Sequence, residues 1–426
     1  MHASQNYPAF RWFVLFSLLV ATVAGSILMI TPAPLMGEVS HQLGVDPGVA
    51  TGIVMGLWNI VGASSCLLAG FLVDRFGANR LMIVGCILLI IPTLLFPLSG
   101  GSLKTIILLR IIQAAGLGPI TSTLATLAAD WFPVRQRGMV AGLQGVATSG
   151  GVLIGFLAAP ATFIRTHSWL STMGWMAIAP AIALACWVFV ALGPQPPASA
   201  DERSEEARGE VQGAFSRALR SATTWILIAS VFISCWFFTG VNDLTPGYIA
   251  IAPPTGLGYG PVMAGRLMGL YQMFFMLGGL LVGFIFEKLF RESARATLGL
   301  GFLVSGALAC SLLSPSVCAK VSTLSLVLPA TAFFAAWVVP TIVAFISINY
   351  HHSVVGRITG MAFGIGFYAG IPGILVGSAI LSRTGSYHGS IALVALVAIL
   401  GALLVQFLPS PKRATRTVKG TDEATV

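Results

Sequence analysis

Charge is what this 426-residue chain has least of: Asp, Glu, Lys and Arg together make up 9% of it. A soluble domain of average composition carries about 25%, so with 56% hydrophobic residues and a mean hydropathy of +0.90 the chain is excluded from that class. It reads as an integral membrane protein. Runs of short alternating strands are missing too, which excludes a β-barrel. Cysteine is scarce, and Cys66, Cys86, Cys186, Cys235, Cys310 and Cys318 all fall in or at the end of apolar stretches without any CxxC spacing. Neither a disulfide framework nor a metal site follows; buried small hydrophobes is the simpler role. Also absent are a Walker motif, a haem-binding pair, zinc-spaced histidines and a nucleophile elbow. No cofactor, no ATP hydrolysis and no enzymatic activity is expected.

What is present is a succession of uncharged apolar stretches of about 20 residues, the length an α-helix needs to cross roughly 30 Å of hydrocarbon. The spans are read at residues 12–36, 49–73, 81–98, 105–128, 138–159, 170–192, 223–249, 263–286, 297–313, 321–346, 357–381 and 389–408. The fold class is therefore all-α and polytopic, with twelve membrane helices. The first stretch begins after Arg11 and stays uncharged to Glu38, too long for a cleaved signal peptide, and is expected to remain as a span.

Lys and Arg concentrate in cytoplasmic loops. Most of them, among them Arg11, Arg75, Arg80, Arg135, Arg137, Arg217, Lys288, Arg291, Arg357 and Lys412, fall on one side of these spans, whereas only Lys104, Arg165, Arg266, Lys320 and Arg383 fall on the other. Both termini are thus expected to be cytoplasmic. The asymmetry accounts for the net charge of +9 without a nucleic-acid partner.

The chain repeats itself. Met55 to Phe76 aligns without a gap on Met268 to Leu289 at an offset of 213, half the length. Met55-Gly56-Leu57-Trp58-Asn59 meets Met268-Gly269-Leu270-Tyr271-Gln272, and Gly70-Phe71-Leu72-Val73-Asp74-Arg75 meets Gly283-Phe284-Ile285-Phe286-Glu287-Lys288. Arg137 and Gly150 match Arg357 and Gly370 at offset 220. Six helices per copy make the repeats parallel, related by an axis along the membrane normal. Residues 1–192 and 223–408 read as two six-helix bundles, with a cytoplasmic linker at 193–222 and a cytoplasmic tail at 409–426. Phe215 and Leu219 suit a short amphipathic helix in that linker, with a solvated connector as the alternative.

The sharpest local pattern is Gly70-x-x-x-Asp74-Arg75-x-Gly77-x-x-Arg80 after span two. It resembles the signature of the major facilitator superfamily between helices two and three, and the resemblance extends over essentially the whole chain. In that family the cluster latches the closed inner side and does not bind substrate. Gly70 would allow close helix approach, Asp74 would pair across the seam between halves, and Gly77 suits a tight turn. The second copy keeps Glu287-Lys288 but has Phe290 where the turn glycine belongs. Asp130-Trp131-Phe132-Pro133-x-Arg135-x-Arg137-Gly138 is similar to a loop of organic-anion, nitrate or cyanate facilitators, with Arg137 placed to pair with Asp74 or Asp130. The inner gate is accordingly read as Asp74, Arg75, Arg80, Asp130, Arg137, Glu287 and Lys288.

Span four holds Arg110-x-x-Gln113-x-x-Gly116-x-Gly118-Pro119. A cation inside hydrocarbon costs at least ~2.5 kcal/mol, so Arg110 requires a watered cavity or partners. The resemblance implies proton coupling or holding an anionic substrate; structural hydrogen bonds to carbonyls of neighbouring helices are the alternative. Span five lacks the Gly-Pro pair common in drug antiporters, Phe156 following Gly155, which disfavours efflux by antiport. Candidates for a central site are the symmetric pairs Trp58-Asn59 and Tyr271-Gln272, with Gln113, Gln144, Trp236, Trp337 and Tyr368. Asp243 is the main acidic candidate for a proton site, or a gate residue paired with Arg266 if exposed. His351 and His352 are expected in a solvated loop.

With no ATP or redox motif, energy must come from a gradient. The expected activity is secondary transport of a small polar or anionic organic solute by alternating access in the plasma or inner membrane, as a proton-coupled symporter and a monomer. Efflux of drugs or metabolites by antiport, and a receptor or sensor on a transporter scaffold, are the alternatives.

Overall fold

The structure, a computed structural model, describes residues 8–195, 215–350 and 352–409. Twelve helices are long and apolar enough to cross a membrane: α1 (Arg11–Leu43), α2 (Pro47–Val73), α3 (Ala78–Ser99), α4 (Leu103–Trp131), α5 (Gln136–Thr166), α6 (Trp169–Leu192), α7 (Ala222–Ala250), α8 (Gly260–Leu289), α9 (Ala294–Ser311), α10 (Val321–Asn349), α11 (Val354–Thr384) and α12 (His388–Phe407). No strand occurs among the described residues. Most of the linker, and the tail beyond Pro409, lie outside them, as does His351.

The repeat is visible in the packing. In the first half α1 packs on α5 and α6, α2 on α4, and α3 on α4 and α6. In the second α7 packs on α11 and α12, α8 on α10, and α9 on α10 and α12, the same pairs shifted by six helices. Two further pairs cross between the halves, α2 with α11 and α5 with α8, and they too are equivalent under the repeat.

Small residues make these approaches possible. A Cβ on Gly118 would fall on the Ser65 backbone, and one on Gly116 on the carbonyl of Gly85, fixing α4 to α2 and α3. Gly151 and Gly155 bring α5 onto α1 in the same way. The 213 register proves to be an interface register. Gly48, Gly52, Gly56 and Asn59 lie along one face of α2 and meet Ser382, Ser378, Leu375 and Gly370 of α11. Their counterparts Gly265, Gly269 and Gln272 share a face of α8, where Gly265 and Gly269 meet Phe156 and Leu157 of α5. Pro160 has no N–H for the Phe156 carbonyl, and that carbonyl lies against Gly265.

The same faces part toward the other end. Gly70 on α2, Gly138, Gly142 and Gly145 on α5, Gly279 and Gly283 on α8, and Gly356, Gly360 and Gly364 on α11 all have open space where a Cβ would stand. The halves therefore touch at the end bearing Asp46 and Ser382 and splay apart at the basic end bearing Arg75 and Lys288. Gly70 makes no close approach in this arrangement, contrary to expectation, because nothing lies within 4 Å of where a Cβ would stand.

Five spans are interrupted mid-membrane. The breaks fall at Thr31–Pro32 in α1, Gly116 in α4, Met176–Ala177 in α6, Ala336–Trp337 in α10 and Tyr368–Ala369 in α11. The break in α1 was not anticipated, and the span runs on to Leu43. At the basic end Gly77 turns with φ 80° as expected of a glycine there. In the second copy, where Phe290 replaces that glycine, α8 ends in a π-helical turn over Ile285–Leu289, and the reversal is made by Arg291 and Glu292 at φ 49° and 63°. Phe290 packs on Trp337 instead, ring centroids 6.1 Å apart. Residues 215–219 of the linker are helical and dock, with Arg357 over the Phe215 ring at 5.7 Å and the Trp225 Nε1 donating to Leu219 at 2.8 Å.

These contacts separate two kinds of glycine. Gly118→Val is expected to lower unfolding stability by more than about 2 kcal/mol through overpacking, while Gly70→Ala, facing open space, changes it by less than about 0.5 kcal/mol or raises it. Thermal unfolding of the purified variants in one detergent decides it; equal losses would refute the packing assignment.

Candidate functional site

Arg110 is 1% exposed on the first half of α4, and every contact it makes is internal. Its Nε donates to the Val54 carbonyl of α2 at 2.8 Å, Nη1 to Leu28 of α1 at 3.0 Å, and Nη2 to Met29 at 3.0 Å. Nη1 also donates to Gln113 Oε1 at 2.7 Å, and the guanidinium lies 4.6 Å from the Trp58 ring centroid. Gln113 Nε2 continues to Thr93 Oγ1 of α3 at 2.6 Å. The carbonyls of Leu28 and Met29 are available because α1 breaks there: Pro32 has no N–H to return to Leu28, and the helix closes at Ile30. Arg110 caps that broken end, where a cation also complements the helix dipole. The carbonyl-bonding alternative for Arg110 is thus what the structure contains, and direct reach to a solute is limited to what four committed donors leave.

At the inner limit of the α2–α11 seam stands a second charge. Asp243 of α7 is 4% exposed and accepts from Asn59 Nδ2 of α2 at 3.2 Å, a bond between the two halves. Asn59 Nδ2 also donates to Met55 at 3.0 Å, and its amide oxygen faces Gly370 at the break in α11. Among the described residues Arg110 and Asp243 are the only buried Asp, Glu, Lys or Arg side chains, one from each half, and they interact electrostatically. Arg266 is exposed, so the expected Asp243–Arg266 pair is replaced by Asp243–Asn59. The reason is depth: Asp243 sits inside the seam and Arg266 outside it.

The symmetric pairs differ in what holds them. Trp58 gives its ring face to Arg110 and Asn59 its amide to Asp243. Tyr271 and Gln272 are 0% exposed, yet the Tyr271 hydroxyl and both amide atoms of Gln272 have no hydrogen-bond partner among the described residues. Asn242 Oδ1 and Thr245 Oγ1 are buried and unpartnered as well. Phe238 and Phe275 are 5.0 Å apart, which sets Asn242, one turn outward on α7, level with Tyr271 on antiparallel α8. Sequence placed both pairs at a central cavity; in this arrangement Trp58, Tyr271 and Gln272 are buried and Asn59 is half-buried. Thr93 and Thr245 were not anticipated; a threonine in an apolar span carries no distinguishing pattern.

The remaining candidates lie apart. Tyr368 is half-buried on the α11 break, Gln144 half-buried on α5, and Trp337 packs among Phe290, Phe333 and Phe334. Trp236 lies beside Gly373. Of the gate residues, Arg75, Arg80, Glu287 and Lys288 are exposed at the open basic end. Arg137 donates to Phe132 at 3.2 Å and Ala129 at 3.1 Å, closing its own loop beside a half-buried Asp130. The side chain of Asp74 lies outside the described residues.

Comparison with known proteins agrees with this architecture. The Major Facilitator Superfamily family model matches residues 14–374. The Probable galactarate/D-glucarate transporter GudP of Bacillus subtilis (strain 168) is 23% identical over 423 residues, 93% of this chain and 91% of that protein. The Probable sulfoacetate transporter SauU of Cupriavidus necator is 22% identical over 405 residues, 88% of each. The Cis,cis-muconate transport protein of Acinetobacter baylyi is 26% identical over 298 residues, 67% of this chain and 68% of that one. Among solved structures, a bacterial homolog of the human lysosomal transporter Spinster superposes with TM-score 0.71 at 14% identity, over 95% of both chains.

Truncating the arginine strands Gln113 and three carbonyls in a dry interior. Arg110→Ala is therefore expected to lose about 3–5 kcal/mol of stability, and Arg110→Lys, without the fork that spans α1 and α2, to recover only part of it. Chemical unfolding in detergent measures this; an Arg110→Ala protein as stable as the parent would refute the capping role.

Proposed function

The chain belongs to the major facilitator superfamily, and from that premise we propose that it carries a small organic anion together with protons, by alternating access between the arrangement seen here and its inverse. It is an integral membrane transporter; the solute, the coupling ion and the sidedness are the proposed parts. The basic end, with Arg75, Arg80, Arg137, Lys288 and Arg291, is read as cytoplasmic, which puts both termini there and makes the present arrangement inward-open. The membrane is read as the plasma or inner membrane, and the working unit as a monomer.

One observation carries the reading: among the described residues a single buried cation and a single buried carboxylate, from opposite halves, stand at the end of one seam. Arg110 is held by carbonyls, which satisfy its donors but leave its charge in place. Asp243 is the balancing charge. A proton on Asp243 removes that balance and turns the centre net positive, so an anion becomes the favoured occupant. It also weakens the acceptor of the Asn59 bond that ties α7 to α2. Proton and anion thus favour each other's binding, as symport requires. The named solutes of the three relatives, two of them dicarboxylates and one a sulfonated carboxylate, support an organic anion in this role.

Gating is assigned to both ends. The glycine seams α2–α11 and α5–α8 form the outer closure. When the basic end closes, Asp74, Arg75, Arg80, Asp130, Arg137, Glu287 and Lys288 come together as the inner latch. Gln113 and Tyr368 border the path between them.

The test uses proteoliposomes containing the full chain, with uptake of galactarate, sulfoacetate and cis,cis-muconate followed under an inward proton gradient. Uptake of at least one is expected to rise as external pH falls. Asp243→Asn is expected to cut gradient-driven accumulation by about tenfold or more while solute exchange at equal pH persists. Undiminished pH-driven accumulation in Asp243→Asn would overturn the coupling assignment.

A further inference from the structure

The two copies of the 213 register are equivalent in backbone and unequal in satisfaction. The Trp58 ring is engaged by Arg110 and the Asn59 amide by Asp243, with Trp58 Nε1 left without a hydrogen-bond partner among the described residues. Tyr271 and Gln272 carry three unpartnered polar atoms at 0% exposure, and Asn242 and Thr245 add two more at 1%. Leaving such groups unpaired in an apolar interior costs about 1–3 kcal/mol each, which a solvated loop would not incur and a packed core would have removed. Their chemistry is uniform. Hydroxyls and primary amides both donate and accept, and none carries charge.

Placement gives the route of access. On α8, Gln272 continues the face of Gly265 and Gly269 that is pressed on α5. Tyr271 turns toward α7, where Asn242 stands level with it and Thr245 lies one turn further out on the same face. Parting α8 from α5 therefore uncovers Gln272 first, from the outer side, with the tyrosine hydroxyl and the Asn242 amide behind it. Arg110 lies on the other half, and Asp243 stands next to Asn242 on α7.

We infer that Gln272, Tyr271, Asn242 and Thr245 form a charge-free subsite that selects the hydroxyl groups of a hydroxylated carboxylate, leaving its anionic end to the Arg110 side. This rests on the organic-anion reading above and specifies its substrate class. A hydroxyl supplies a donor and an acceptor at once, matching both amide atoms of Gln272. An unsubstituted alkyl chain of the same length would leave them buried and unpaired, so discrimination is strong.

Galactarate and adipate share chain length and both carboxylates and differ in the hydroxyls alone. Uptake of each into proteoliposomes bearing the full chain is compared at one pH gradient. The parent protein is expected to prefer galactarate by about tenfold or more, and Gln272→Leu and Tyr271→Phe to bring that ratio close to one while adipate uptake is retained. Retained adipate uptake also shows that the variants fold. An unchanged ratio in both variants overturns the subsite and leaves anion transport standing. Equal loss of both solutes in both variants likewise overturns it, since the residues then serve the fold. If the parent carries neither, and no other organic anion, the organic-anion reading fails and the subsite with it.

Discussion

A polypeptide in hydrocarbon has no water to satisfy a backbone group that its own helix leaves free. In this chain the requirement converges on Arg110. Pro32 interrupts α1 and withholds the N–H that the Leu28 carbonyl needs. A buried guanidinium, itself intolerable without acceptors, supplies the missing donors. Each defect is the remedy for the other. Because the same fork also reaches Val54, and Gln113 extends it to Thr93, one side chain fixes the relative positions of α1, α2, α3 and α4.

The second half does without this device. The corresponding turn of α10, just before its own break at Ala336–Trp337, carries Ala330 and Thr331, and the Thr331 hydroxyl returns to its own helix at Val327, 2.8 Å away. Among the described residues no buried cation stands on that side. The result is a centre with two characters. The first half holds the carbonyl-bound cation. The second holds the carboxylate of Asp243 beside uncharged groups, several of them without partners, although the two descend from one repeating pattern.

Much of this was legible in the sequence, and the limits have physical causes. Twelve spans follow from hydropathy, since only helices and closed barrels survive in a bilayer and the alternating strands of a barrel are missing from the sequence. The duplicated register marked α2 and α8 as equivalent, and the structure shows that glycines at its matching positions are where each helix meets the other half. What the register could not reveal was which polar residue pairs with which, a matter of rotation about the helix axis. Sequence spacing put Asp243 and Arg266 at similar height, yet Asp243 is buried against Asn59 and Arg266 is exposed, a difference of depth and rotation that spacing does not carry. The break at Pro32 was visible as a residue and missed as a break, because hydropathy averages over it. Phe290, by contrast, signalled a departure that the structure meets with a π-helical turn and two left-handed residues.

The two seams, equivalent by descent, therefore part at different cost. Along α5–α8 the contacts are glycine against carbonyl and leucine, weak individually and without charge. Along α2 the glycine face ends in Asn59, bonded to a buried carboxylate of the opposite half, and Ser382 adds a bond to Asp46 at 3.1 Å. Asn59 follows Trp58, whose ring lies on Arg110. This seam thus adjoins Arg110 and Asp243, the two buried charges among the described residues, whereas the glycine contacts of the α5–α8 seam include neither. Asp243 bonds to α2 and belongs to α7, so under the proposed coupling its charge acts first on the α2 seam. The closure proposed to respond to charge and the one proposed to expose neutral polar groups are then different helix pairs, both built on glycines at matching positions of the repeat.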